Sequence, residues 1–235
     1  MRAITKKEIR SYFSSPTGYI CIASIALIYG LFYYMNVISS GSTANVKNVY
    51  NAVFSFTMII VPILTMKSMS EERKNKTDQA LLTAPVTVTA ISCGKFLGAF
   101  AVFFAASCIG LLPAVVLSFF GSPPWGLIMG NFIGALLYGG AIIAIGIFIS
   151  SLTESQVIAA IVTFVVSMLL LFMDAIGSSI GNEFVSKIVS GISFQSRFVS
   201  FSQGVFSLPS AVFFISVISV FVFLTARRLE SRRWS

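Results

Sequence analysis

Six apolar stretches, each long enough to cross a bilayer as a helix, constrain the fold of this chain more than any other feature. A helix needs about 20 apolar residues to span the hydrocarbon core. The third stretch is longer and contains Pro113, so we expect it to kink, tilt or begin in the membrane interface. The pattern predicts an all-α, polytopic membrane protein, a single domain over residues 1–235. Its six transmembrane helices are expected near residues 17–38, 49–66, 91–120, 127–150, 156–173 and 208–226.

The composition indicates a surface that is solvated mostly by lipid. Only 10% of the residues are charged, whereas a soluble domain needs about 25%. The net charge of +8 on a soluble domain would favour nucleic-acid binding. Here the basic residues flank apolar stretches, which indicates membrane orientation and no nucleic-acid partner. The first apolar stretch is too long for a signal peptide, so we expect it to be retained as a span.

Lysine and arginine are distributed unevenly among the connecting segments. The N-terminus, the second connection together with Lys95 just beyond it, and the C-terminus carry 13 of the 16, and the other side carries Lys47, Lys187 and Arg197. The positive-inside rule puts the richer side in the cytoplasm. We therefore expect a multi-pass protein of the cell membrane with both termini in the cytoplasm.

The N-terminal residues 2–13 mix lysine and arginine with Ile4, Ile9, Tyr12 and Phe13. This mixture is typical of a short helix that lies in the membrane interface. A charged flank that merely orients the first span would have a similar composition, and the sequence leaves both interpretations open.

The second connection, residues 67–90, is the most polar stretch of the chain. Thr77 suits the N-cap of a helix, and Asp78 in the first turn suits the helix dipole. Pro85 disfavours helical geometry at the residue before it, which leaves room for barely two turns. We therefore expect a short cytoplasmic helix whose exposed apolar side chains are Leu81 and Leu82. Exposed leucines beside a charge cluster need cover from the membrane or from a protein partner.

The fifth connection, residues 174–207, lies outside the cell in this orientation and is unusually aromatic. A wholly solvated loop would rarely carry so many rings, so we expect short extracellular helices that dip into the outer interface. The residues expected there are Phe194, Arg197, Phe198, Phe201 and Phe206. At its start, Asp174 either caps a helix end or faces a translocation path.

The chain lacks the patterns of an enzyme. Histidine, the commonest general base and metal ligand, is absent, and the three cysteines have no metal-ligand spacing. The Walker A pattern of ATP-binding proteins is absent, and no carboxylate pair lies inside a predicted span. The sequence therefore predicts a conduit or a structural subunit, without a catalytic, cofactor or metal site of its own.

Several motifs in combination resemble the type-2 ABC transporter permeases, and the likeness spans nearly the whole chain. The branch they resemble is the one named for gliding motility. Lys76 departs from the pattern, because members of the family often have glycine there. The motifs are SEER at 70–73, TDQALLTAPV at 77–86, GK at 94–95, ISSLTESQ at 149–156 and LTAR at 224–227, with KE at 7–8, SYF at 11–13, SP at 15–16 and GY at 18–19 near the start.

This resemblance implies a permease subunit that pairs with a second one to form the transport pathway. A separate ATPase, which binds ATP and Mg²⁺, would dock on the cytoplasmic face. The family's coupling helix, which inserts into a groove of the ATPase, corresponds to residues 77–85 here. The residues expected to contact the ATPase are Thr77, Asp78, Gln79, Leu81, Leu82, Pro85 and Glu154. The N-terminal segment corresponds to the family's interfacial helix.

Some alternatives remain open at this stage. An exporter is favoured because no substrate-binding domain is present, but a membrane scaffold that transports nothing has the same architecture. The second permease subunit is either another copy or a distinct companion chain. Glycines spaced four apart, such as Gly94 and Gly98 or Gly130 and Gly134, predict close helix packing within the subunit, with a dimer interface as the alternative.

Overall fold

The computed structural model describes residues 2–41, 45–77, 86–119, 121–179 and 191–233. Within these ranges the chain forms helices joined by turns, without β-strands. The helices are α1 (Arg2–Ser14), α2 (Pro16–Tyr33), α3 (Val46–Thr65), α4 (Lys67–Lys74), α5 (Val88–Ile109), α6 (Leu112–Leu117), α7 (Trp125–Leu152), α8 (Gln156–Ser179), α9 (Phe194–Ser202) and α10 (Leu208–Arg233). A π-helical turn over Tyr34–Ile38 extends α2.

The structure confirms the prediction of six membrane-spanning helices. Among the described residues, six helical segments are long and apolar enough to cross a bilayer. The third breaks at Gly110 and Leu111, and α6 begins with Pro113 in its first turn. Proline is tolerated there because the first turn's N–H groups have no helical partner. The expected irregularity of this stretch is therefore a break between two helices.

Two predicted boundaries are corrected by the structure. The second span does not end in a loop at Met66, because α4 follows almost without interruption and continues to Lys74. Asp174 neither ends a helix nor caps one, since α8 continues through Ser179. Its carboxylate instead accepts a hydrogen bond of 2.7 Å from the Ser196 hydroxyl of α9.

Helix α7 lies at the centre of the bundle. It packs against α3, α4, α5, α8, α9 and α10, and 72% of its apolar stretch is buried, against 22% for α8 and for α10. The glycines of α7 permit this packing, because a Cβ at Gly134 would overlap Phe201 and one at Gly139 would overlap Phe103. The predicted close packing within the subunit is therefore confirmed for these positions. Many apolar side chains of α8 and α10 are exposed, whereas Phe214 and Leu171 are among the buried ones.

The two ends of the bundle differ in chemistry. At one end, which we call the basic end, α1 and α4 pack beside the start of α5 and the end of α7. There the Tyr12 hydroxyl of α1 donates to the Leu64 carbonyl at 3.2 Å. At the other end, which we call the aromatic end, α9 packs its phenylalanines against α7.

Candidate functional site

Helix α4 is fixed to the central helix by one hydroxyl group. The buried Ser150 side chain of α7 accepts hydrogen bonds from the backbone N–H groups of Met69 and Ser70, both at 3.1 Å. The same hydroxyl donates to the Met66 carbonyl at 3.1 Å. These groups belong to the junction of α3 and α4, where backbone hydrogen bonding is incomplete. Ser150 therefore fixes both the position and the rotation of α4 on the bundle.

A buried ion-pair cluster joins α4 to α1 and α5. The Lys95 side chain of α5 is only 1% exposed, and its ammonium group lies 3.1 Å from a carboxylate oxygen of Glu8 and 2.9 Å from one of Glu72. It also donates to the Ser68 carbonyl at 2.6 Å. Three acceptors satisfy the three donors of a lysine ammonium. We call Glu8, Ser68, Glu72 and Lys95 the lysine hub.

The hub depends on two glycines that flank Lys95 along α5. A Cβ at Gly94 would overlap the Ile4 side chain, and one at Gly98 would overlap the Cβ of Glu8. The small residues let α1 lie directly on α5, with Ile4, Glu8 and Tyr12 on its buried face. Close approach places the Glu8 carboxylate within reach of Lys95. The sequence pattern did not predict this face, because Tyr12 was grouped with the apolar residues and Glu8 was named only in the KE motif at 7–8.

The outer edge of the hub is more exposed. Lys7 lies 3.1 Å from the second carboxylate oxygen of Glu72, and the Lys7 side chain is 57% exposed. Partial burial lowers the pKa of the Lys7 amine, but the Glu72 and Glu8 carboxylates together raise it by more, so its pKa lies above the ordinary 10.5. With Lys7 included, two ammonium groups face two carboxylates. A cavity of about 180 Å³ lies beside these groups and reaches Thr77.

A second contact joins α4 to the turn after α7. The Arg73 guanidinium lies 3.0 Å from the Glu154 carboxylate and donates to the Ser151 carbonyl at 3.3 Å. The Glu154 side chain is 66% exposed, so the pair lies at the surface of the basic end. Through Arg73, Lys95 and Ser150, the short helix α4 is tied to α1, α5, α7 and the turn that leads into α8.

Helix α4 ends in a Schellman motif. The Thr77 N–H bonds to the Glu72 carbonyl at 2.9 Å and the Lys76 N–H to the Arg73 carbonyl at 3.0 Å. Lys76 adopts a left-handed conformation with φ of 55°. This is the position where the motif favours glycine, which gives a physical reason for the glycine that family members often carry here. Thr77 is the last residue of this C-terminal cap, and the helix that it was expected to begin lies outside the described residues.

The residues expected to contact an ATPase are only partly described. Thr77 and Glu154 lie at the basic end, at the exit of α4 and in the turn after α7. The other expected residues, Asp78, Gln79, Leu81, Leu82 and Pro85, lie outside the described residues.

The residues expected in short extracellular helices lie at the aromatic end. Phe194, Phe198 and Phe201 belong to α9, and their side chains are buried in the bundle instead of projecting into a membrane interface. The Phe198 ring stacks on Phe54 with ring centroids 4.0 Å apart. Arg197 donates twice to the Gly191 carbonyl, at 3.1 and 3.3 Å. Helix α9 therefore closes this end of the bundle with packed aromatic rings.

Comparison with known proteins identifies the family. A sequence model described as "ABC-2 family transporter protein" matches residues 33–227. The chain belongs to the ABC-2 transporter family. This family comprises membrane subunits of ABC transporters, so the ABC-2 chain is a permease subunit, and its family implies association with an ABC ATPase. No curated protein sequence matches the chain.

Part of the lysine hub lies outside the residues that the family model matches. Lys95 and Glu72 lie within residues 33–227, whereas Glu8 and the whole of α1 precede them. Within the described ranges, no group of three His, Cys, Asp or Glu side chains is placed to hold a metal ion. The ABC-2 chain therefore offers ion pairs that tie helices together, at the end where α4 leaves the bundle.

Proposed function

We propose that this ABC-2 chain is the permease subunit of an exporter, driven by a separate ATPase that binds ATP and Mg²⁺. Two permease subunits, either two copies or this chain and a companion, would form the pathway. One observation carries the proposal: α4 is tied to α1, α5 and α7 directly before residues 77–85. Those residues resemble the family's coupling helix. The motifs also favour the gliding-motility-type branch.

The proposed orientation places the basic end, and both termini, in the cytoplasm of a cell with this protein in its plasma membrane. The distribution of Lys and Arg supports it, since 13 of the 16 lie in segments at this end. A docked ATPase would then face α4, Glu154 and residues 77–85. The aromatic end, closed by α9, would face outward.

The proposed mechanism is a two-state movement of the helices. ATP binding closes the ATPase dimer and displaces residues 77–85, and the displacement reaches the spans through α4. Rearrangement of packed helices then opens a path between the paired subunits. The permease forms the pathway and transmits the movement to its spans, and the ATPase binds and hydrolyses ATP.

Affinity purification of the tagged chain from its native membrane tests this proposal. The wild-type protein should retain an ATPase that carries a Walker A motif. Leu81→Asp or Leu82→Asp should lower the retained ATPase about tenfold or more, because loss of a buried apolar anchor typically costs about 2 kcal/mol or more. Ser231→Asp, which adds a carboxylate at an exposed position near the C-terminus, is the matched control.

Two results would contradict the proposal. Wild-type protein that retains no ATPase would refute the permease–ATPase assembly, and unchanged retention by both leucine variants would refute the role of residues 77–85. A purified complex that hydrolyses ATP but moves no membrane component would instead identify a scaffold.

A further inference from the structure

The lysine hub places a buried charge within a membrane span. Lys95 lies within a predicted membrane span and is almost fully buried, yet both of its carboxylate partners come from other helices. A charge in such a place is costly unless it is paired and hydrogen-bonded. Glu8 precedes it by 87 residues in sequence, so α1 is folded back onto α5 to complete the hub.

We propose that α1, α4 and the first turns of α5 form one rigid block, and that Lys95 is the positioning residue that holds it together. On the proposed function, this block moves as a unit when the ATPase displaces the segment after α4. The movement would then reach α1 and α5 at the same time. Without the hub, α4 would move and α1 would stay behind.

The electrostatics make the block rigid. Separation of α1 or α4 from α5 would leave the Lys95 ammonium or a buried carboxylate without its partner. Breaking a buried ion pair on one side is far more costly than breaking an exposed pair. The ion pair between Arg73 and Glu154 joins the block to the turn after α7, and its Glu154 side chain is largely exposed. This pair and the neutral hydrogen bonds of Ser150 to α4 are the contacts that a movement of the block can break and remake.

The packing shows where the block can slide. At the basic end, α5 is separated from α10 by a cleft of about 430 Å³. The cleft is lined mostly by apolar side chains of the two helices, among them Phe96, Leu97, Val222 and Phe223. No charged group among its lining residues bridges the two helices. On the other face of α5, the glycines hold α1 in direct contact. A displaced block would therefore move against α10 and stay together internally.

Distances between spin labels test the proposal in the purified permease–ATPase complex. Cys21, Cys93 and Cys108 are first replaced by alanine, and label pairs are then introduced at exposed positions. The pair Arg10→Cys with Lys74→Cys reports within the block. The pair Lys74→Cys with Ser231→Cys reports across the cleft. ATP with a hydrolysis-deficient ATPase should change the distance across the cleft and leave the distance within the block unchanged.

A variant of the lysine hub without charges tests whether the ion pairs couple α1 to α4 in a protein that still folds. The triple variant Glu8→Gln, Glu72→Gln, Lys95→Met nearly keeps the side-chain sizes and leaves no buried charge unpaired, because Lys7, which loses Glu72, is largely exposed. It should therefore fold. In this variant ATP should also change the distance within the block. The matched control Lys7→Met removes only the exposed ion pair and should behave as wild type. Glu8→Leu alone, which removes the contact between α1 and Lys95 and leaves Lys95 paired with Glu72, replaces the triple variant if that protein does not accumulate.

The outcomes separate this inference from the proposed function. A distance within the block that changes with ATP in the wild type would overturn the inference, and so would a hub variant in which it stays fixed. If no ATPase associates with the chain, the proposed function fails, but the block is still tested in the permease alone. There the distance distribution within the block should be narrow in the wild type and in Lys7→Met, and broad in the hub variant. Equal widths would overturn the inference.

Discussion

Lys95→Met is the substitution that most directly tests the buried ion pairs. Methionine fills nearly the same space but removes the ammonium group and its three contacts, to Glu8, Glu72 and the Ser68 carbonyl. Glu72 keeps Lys7 as a partner at 3.1 Å. The Glu8 side chain is only 8% exposed, and Lys95 is the partner that its ion pair loses. Most of the cost therefore falls on Glu8.

The magnitude of this cost follows from the burial of the pair. Removal of one partner from a buried ion pair typically costs about 3–5 kcal/mol, because the remaining charge is left buried without compensation. Lys95→Met should therefore lower the free energy of unfolding by about 3–5 kcal/mol.

Thermal unfolding followed with a thiol-reactive fluorophore measures this loss. Cys21 is 3% exposed and becomes reactive when the bundle opens, provided that the partly exposed Cys93 and Cys108 are replaced by alanine. The midpoint should fall by about 6–20 °C, using about 2–4 °C for each kcal/mol. Lys7→Met, which removes an exposed pair worth about 0–1 kcal/mol, is the control. Equal midpoints for the two variants would refute the reasoning.

Five further substitutions are measured by the same unfolding assay. Gly98→Ala should destabilise by about 1–2 kcal/mol because its Cβ overlaps Glu8, whereas Gly30→Ala, with open space around it, should stabilise by about 0.5–1 kcal/mol. Ser150→Ala should cost about 1–3 kcal/mol, since it leaves two amide donors at the start of α4 without their acceptor. Lys76→Gly should stabilise by about 1 kcal/mol by relieving the left-handed conformation. Tyr138→Phe should stabilise by about 1 kcal/mol, because the buried hydroxyl has no hydrogen-bond partner among the described residues. For each substitution, a change in the free energy of unfolding of the opposite sign would contradict the contact described.

The features that the sequence predicts well are those set by local chemistry. Apolar length alone located all six spans, because the cost of an unsatisfied backbone in lipid leaves a helix as the only solution for such a stretch. The same logic located a short helix around Phe194. Its phenylalanines were expected in the membrane interface, but the glycines of α7 open a groove that buries them. Which face of a helix meets a groove depends on the rotation of both partners, and hydropathy does not contain that information.

The lysine hub shows where this limit lies. Lys95 was one of the 13 basic residues used to predict the orientation in the membrane. In the structure it belongs to the span that begins with α5, and its side chain is almost fully buried. Its flanking glycines were a usable signal, since a charge between small residues inside an apolar helix requires a carboxylate from a closely packed neighbour. The identity of that neighbour was not readable from the sequence. Glu71 and Glu72 are equivalent by position, and the rotation of α4 selects Glu72. That rotation is fixed by Ser150, about 80 residues further along the chain.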